Sequence, residues 1–174
     1  MSRYYWRFIL QAALLLIIQA VVMNHIRLFN YFIPIIFLYP ILKLPIQSPR
    51  WSIILLSALL GGAMDLLMNT PGLNMAVTAL IGLIRAPILI SFADEDLMEE
   101  DGSIIVPTNS SLSIKNYQLY LLIMLTTQIA TLMLLEAFST NIFLNLLPSI
   151  LGSVFISYII YLFLDLLLSK KISK

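Results

Sequence analysis

The stretch LYLLIMLTTQIATLMLL, residues 119–135, contains no charged side chain. Carried outward to Tyr117 and Phe138, it reaches the roughly 20 apolar residues that a helix needs to cross a bilayer core of about 30 Å. A transmembrane strand is excluded, because such strands alternate apolar and polar residues and this run does not. The rest of the chain has the same character. Of 174 residues, 60% are hydrophobic and 11% charged, and the mean hydropathy is +0.97. A soluble domain carries about a quarter charged residues. A water-soluble fold of this size does not have enough polar groups here to cover its surface, so the expected class is an all-α integral membrane protein.

Five further candidate spans flank that run, giving six at about 7–23, 31–44, 51–68, 73–92, 117–138 and 144–168 in a single membrane domain. The first ends at Asn24-His25-Ile26-Arg27. The second is short and holds Pro34 and Pro40, which leaves a full, broken or re-entrant segment open. The third ends at Asn69-Thr70-Pro71-Gly72, a strong turn signal. The fourth is interrupted by Arg85-Ala86-Pro87. Six of the nine acids lie within residues 94–101, in a polar loop at 93–116. The start, Met1-Ser2-Arg3 ahead of an apolar stretch, imitates a signal peptide, but that stretch is long and no small-x-small site follows, so cleavage is not expected.

Orientation follows from Lys and Arg. With the N-terminus inside, eight of the ten fall on the inner side: Arg3, Arg7, Lys43, Arg50, Lys115, Lys170, Lys171 and Lys174. Arg27 is outside and Arg85 lies within the fourth span. This gives an N-in, C-in bundle with the acidic loop in the cytoplasm. A net charge of +1, with no basic tract carrying interleaved aromatics, argues against nucleic acid. With no cysteine, thiolate metal sites, Fe–S clusters and thiol catalysis are excluded. No HExxH, P-loop or GxSxG pattern occurs, and His25 has no second ligand nearby in sequence. Neither an enzyme nor a cofactor is expected.

Four ionisable residues remain in the spans: Asp65, Arg85, Glu136 and Asp165. Each costs about 2.5–3.5 kcal/mol to insert. Arg85 and Asp165, of opposite sign near the inner ends of their helices, are expected to meet. Glu136 reads as a hydrated helix end. Asp65 lies one turn beyond Gly61 and Gly62, whose small size lets another helix approach. Its carboxylate can reach the first amides of the fourth span or the turn at Asn69 and Thr70. Helix packing is the favoured role, with ligand or partner binding as the competing ones. Tyr4, Tyr5, Trp6, Trp51, Tyr117 and Tyr120 read as interfacial anchors. Two classes remain: a scaffold for other membrane proteins and a small transporter subunit.

Several short motifs then carry a resemblance. They are Asn24-His25-Ile26-Arg27-Leu28-Phe29, Pro34, Tyr39-Pro40-Ile41-Leu42-Lys43-Leu44-Pro45, Gly61-Gly62-Ala63-Met64-Asp65, Asn69-Thr70-Pro71-Gly72-Leu73-Asn74 and Leu83-Ile84-Arg85. In this order they resemble the rod-shape-determining MreD family in its Bacteroidota form. The resemblance implies a fold similar to the substrate-binding subunits of energy-coupling-factor transporters. It also implies a role beside MreC, RodA, a penicillin-binding transpeptidase and the actin-like MreB, in lateral peptidoglycan synthesis and cell shape. The expected packing or partner-binding set is Gly61, Gly62, Asp65, Asn69, Pro71, Gly72, Arg85 and Asp165. A vitamin-type transporter subunit is the alternative.

The charge bias makes one test direct. Reporter fusions at Lys174 and near Gly102 are expected to report the cytoplasm, and an external signal from either would overturn the six-span orientation.

Overall fold

A computed structural model describes residues 2–23, 32–93, 105–137 and 146–169. The polar step at 24–27 with His25, the acidic stretch 94–101, the step at 139–141, the lysine tail at 170–174 and the side chains of Tyr4, Tyr5 and Trp6 lie outside the described residues. The described residues are helical, with no strand. Helix α1, Ser2–Ile18, passes into a π-helical turn at Gln19–Met23. A single turn, α2, follows at Tyr39–Leu42. Then come α3, Arg50–Met68; α4, Leu73–Phe92; α5, Ile114–Ala137; and α6, Leu146–Ser169. The last four are long and apolar enough to cross a membrane, and the apolar part of α1, Phe8–Val21, is shorter. Their outer surfaces carry large bare apolar side chains, with Leu66 86% and Trp51 69% exposed. Contiguous apolar exposure of this kind suits lipid and not water, and the architecture is that of a helical membrane protein.

Helices α3 and α4 form the tightest pair. The buried positions of α3 (Ile53, Ser57, Leu60, Gly61, Met64, Asp65) and of α4 (Asn74, Val77, Thr78, Ile81, Gly82, Arg85, Leu89) recur at three- and four-residue steps, which places each set on one face. Small residues bring the two backbones together. A Cβ on Gly61 would fall on the Thr78 hydroxyl and the Asn74 carbonyl, and one on Gly82 would lie 2.6 Å from Ser57 Oγ. The buried hydroxyls are satisfied within their own helices: Ser57 donates to the Ile53 carbonyl at 2.7 Å and Thr78 to that of Asn74 at 2.6 Å. Pro87 does not break α4, which continues to Phe92.

The segment expected as a second span is not a membrane-crossing helix. Residues 33–36 have no regular structure, 37–38 turn, and α2 contributes one turn. Ile35, Ile36, Phe37, Leu38, Tyr39, Ile41, Leu42 and Leu44 are nonetheless buried in the core. The two prolines account for the absent helix, and side chains of other elements take over the hydrogen bonds a helix would have made. Ser153 accepts the Ile33 amide at 3.0 Å and Ser157 accepts the Ile35 amide at 2.9 Å. Two residues of extended chain advance ~6.6 Å and four residues of helix ~6 Å. Serines four apart on α6 therefore match alternate amides. Gln19 serves the other edge, accepting from the Ile36 amide at 2.7 Å and donating to the Pro34 carbonyl at 2.9 Å. From Ile33 at Ser153 to Tyr39 at Asp165, the segment runs alongside α6 in the same direction.

The glycine geometry gives a paired test. Gly61→Ala is expected to cost about 1–3 kcal/mol or more by overpacking the α3–α4 contact. Gly62→Ala is expected to be near neutral, because its Cβ would meet only Met75 Sδ at 3.6 Å, an ordinary contact. Thermal unfolding of both variants in one detergent checks the order.

Candidate functional site

Polar groups gather at the two ends of the bundle. At the end holding the α3–α4 turn, Asp65 is the organiser. Asn69 closes α3 in the left-handed conformation (φ 54°), which Asn tolerates, and Gly72 precedes α4 at φ 81°. Gly72 has no side chain with which to cap α4, so its first amides need another acceptor. Asp65 supplies it from the preceding helix. Its Oδ2 accepts from the Met75 amide at 2.8 Å, and its Oδ1 accepts from the Asn74 amide and from Asn74 Nδ2, both at 3.0 Å. The Thr70 hydroxyl also donates to Oδ1. The Asp65 main-chain carbonyl accepts the amides of Asn69 and of Thr70, the latter at 3.1 Å. One residue thus closes α3 and opens α4, with a carboxylate at the positive end of the α4 dipole.

At the opposite end, Asp165 of α6 pairs with Lys43, Nζ to Oδ1 at 2.7 Å, and accepts hydrogen bonds from Tyr39 at 2.7 Å and from Tyr117. Lys43 also donates to the Pro107 carbonyl at 3.0 Å and faces the Tyr117 ring at 4.4 Å. The Ile46 amide bonds the Ile105 carbonyl at 2.9 Å, so the end of the polar loop lies against the chain that follows α2. The expected Arg85–Asp165 contact does not form. Arg85, 0% exposed, instead donates through Nη2 to the carbonyls of Leu42 and Leu44. The physical reason is the segment ending at Leu44. Arg85 meets its carbonyls and Asp165 meets its Lys43 and Tyr39.

Of the expected set, Gly61, Asp65, Asn69 and Gly72 converge on the hairpin turn, where Pro71 is exposed and Gly62 makes only ordinary contact. Arg85 and Asp165 share the far end without touching as a pair. Tyr117 and Tyr120, expected at the interface, are core residues at 0% exposure, and the Tyr120 hydroxyl donates to the Leu42 carbonyl at 3.2 Å. Trp51 is exposed as expected. Gln19, Ser153 and Ser157 were not singled out by the sequence, and Lys43 and Asn74 were given no site role there. The visible signals were a lone amide in an apolar helix and two serines four residues apart.

A cavity of about 200 Å³ opens beside the Asp65 turn, lined by Gln19 of the π turn, Phe37, Thr70, Asn74, Leu132 and Glu136, among others. Away from that cluster, Nε and Nη1 of Arg85, Oη of Tyr161 and both amide atoms of Gln128 are buried with no hydrogen-bond partner among the described residues. No group of three or more His, Cys, Asp or Glu placed to hold a metal occurs among the described residues. Comparison with protein-family models, curated proteins and solved structures finds no match.

The Asp65 geometry separates two substitutions. Asp65→Ala orphans the Asn74 and Met75 amides together and is expected to cost about 3 kcal/mol or more. Asp65→Asn keeps the acceptor facing Thr70 and Asn74 but turns an NH2 toward the Met75 amide, at an expected ~1–2 kcal/mol. Thermal stability of the two variants is the readout. Equal damage would mean that the charge itself, and not the cap, is what matters.

Proposed function

We propose that the chain is a non-enzymatic membrane scaffold of MreD type, binding MreC in the bacterial inner membrane and supporting lateral peptidoglycan synthesis and cell shape. RodA, a penicillin-binding transpeptidase and MreB belong to the same assembly. The bundle sits N-in and C-in with its Asp65 turn facing outward. It makes six passages, of which the second is the non-helical segment beside α6. Membrane lipid surrounds it.

The observation that carries this reading is where the polar groups go. Asp65, Arg85, Lys43 and Asp165 all hold backbone or one another. Asp65, Arg85 and Lys43 are also among the residues that carry the family resemblance, together with Gly61, Asn69 and Gly72. A chain whose characteristic residues fix its own shape offers partners a rigid surface instead of a reaction centre.

Copurification from native membranes tests it. MreC is expected to copurify with the wild-type chain, to be reduced with Asp65→Ala, and to be retained in the wall-synthesis complex only while this chain is present. Depletion in a rod-shaped host is expected to round the cells. Tight binding of a vitamin together with capture of an ATPase partner, and no effect on MreC, would replace the scaffold with a vitamin-type transporter subunit.

A further inference from the structure

Most polar groups around the cavity beside the Asp65 turn are already engaged. Gln19 uses both ends of its amide, Nε2 on the Pro34 carbonyl and Oε1 on the Ile36 amide. The Thr70 hydroxyl donates to Asp65 and accepts from Asn74 Nδ2 at 3.4 Å. Glu136 has a partner of its own. Asp65 stands behind the wall with its charge taken up by the α4 amides. These groups do not call for a charged occupant, and an ion would lose its hydration there without replacement. Asn74 is the exception. It is 8% exposed and lines the cavity. Its NH2 is committed to the Asp65 carboxylate at 3.0 Å, which fixes the way round that the amide sits. Its Oδ1 receives no donor among the described residues, yet it is not one of the sealed polar atoms, so it opens into the space that Asn74 lines. A single amide oxygen among apolar walls calls for one donor.

The remaining walls suit a ring. Ile33, Ile35, Phe37, Met64 and Leu132 are apolar. A phenylalanine offers an aromatic occupant an edge or a face, and a methionine sulfur sits well against a ring edge. The volume is about 200 Å³. A dry cavity of about 150 Å³ accommodates a benzene molecule, so this one has room for one ring system with a small substituent, whereas drug-sized ligands need ~300 Å³ or more.

We propose that this cavity binds one neutral aromatic ring system carrying a single O–H or N–H donor, a phenol or an indole, with the donor on Asn74 Oδ1 and the ring among Phe37, Met64 and Leu132. A free solute and a tyrosine or tryptophan side chain of a partner present the same chemistry. The site itself takes nothing from the scaffold reading; only the assignment of its source does.

The test uses the full chain in phosphatidylcholine nanodiscs, with empty discs as the baseline for partitioning and fluorine NMR as the readout. The probe is para-fluorophenol; fluorobenzene lacks its donor, and para-fluorobenzylammonium is a charged counterpart. The phenol is expected to bind saturably, about ten-fold tighter than fluorobenzene, and the ammonium more weakly than either. Asn74→Ala is expected to bring the phenol down to the level of fluorobenzene while fluorobenzene still binds. Leu132→Trp, which fills the cavity, is expected to abolish binding of both. Should either variant fail to fold, the ranking of the three probes on the wild-type chain still decides. A phenol no tighter than fluorobenzene, an ammonium tighter than the phenol, no saturable binding, or phenol binding unaltered in folded Asn74→Ala or folded Leu132→Trp would each overturn the proposal. Saturating para-fluorophenol in the MreC copurification then assigns the source: release of MreC identifies a partner's side chain, and retention identifies a free solute. Failure to capture MreC at all would remove the scaffold reading alone, with a free solute as the source, so the site and the scaffold can fail separately.

Discussion

Backbone that is not helical has to find its hydrogen bonds elsewhere, and inside an apolar bundle water does not supply them. Residues 33–36 and the turn that follows set this demand at the centre of the molecule, and much of the polar inventory answers it. Ser153, Ser157 and Gln19 take the amides and one carbonyl at one end. Arg85 and Tyr120 donate to the carbonyls at the other. Tyr39 and Lys43 then fasten the segment to Asp165. The surrounding helices α1, α4, α5 and α6 each contribute at least one of these groups. The segment is thus the axle around which the bundle is assembled, although it is not regular helix.

The charged residues share a common logic. Asp65, Arg85 and Lys43 are each placed where a main-chain dipole needs a partner. Asp65 faces amides at a helix start, Arg85 faces carbonyls released by a broken segment, and Lys43 faces the carbonyl of Pro107 as well as Asp165. A buried charge is tolerated when hydrogen bonds replace its hydration. For Asp65 and Lys43 that replacement and the backbone requirement are one and the same interaction, whereas Arg85 meets it through Nη2 alone, its Nε and Nη1 having no partner among the described residues.

Some of this was legible in the sequence. Asp65 reaches the first amides of α4 because the turn at 69–72 is too short to carry α4 far from the end of α3, and short turn plus small residues is a pattern visible in one dimension. Hydropathy alone locates α3 to α6. The Arg85–Asp165 expectation failed for a specific reason. Sign and depth can be read from the chain, but the direction in which a side chain leaves its helix, and what lies between two helices, cannot. Lys43 counted only as one of the inner-side cations, and Tyr117 looked like an anchor because it begins a span. Asp165, far along the chain, draws both inward: Tyr117 is fully buried and Lys43 partly so. The serines at 153 and 157 gave a signal of spacing, but nothing in their own helix told what they would bind.

The separation of these partners along the chain has a consequence in time. Asp65 and the amides it caps are 9 and 10 residues apart, so the α3–α4 hairpin can close as soon as both halves have emerged. Ile33 is separated from Ser153 by 120 residues and Tyr39 from Asp165 by 126. At roughly 5–20 residues per second of synthesis, that gap lasts on the order of 10 s. Throughout it the unpaired amides of Ile33 and Ile35 require water or a surrogate, which lipid does not offer. The segment made second must therefore be seated last. It has to wait in a hydrated compartment of the insertion machinery, or outside the bilayer, until α6 closes over it.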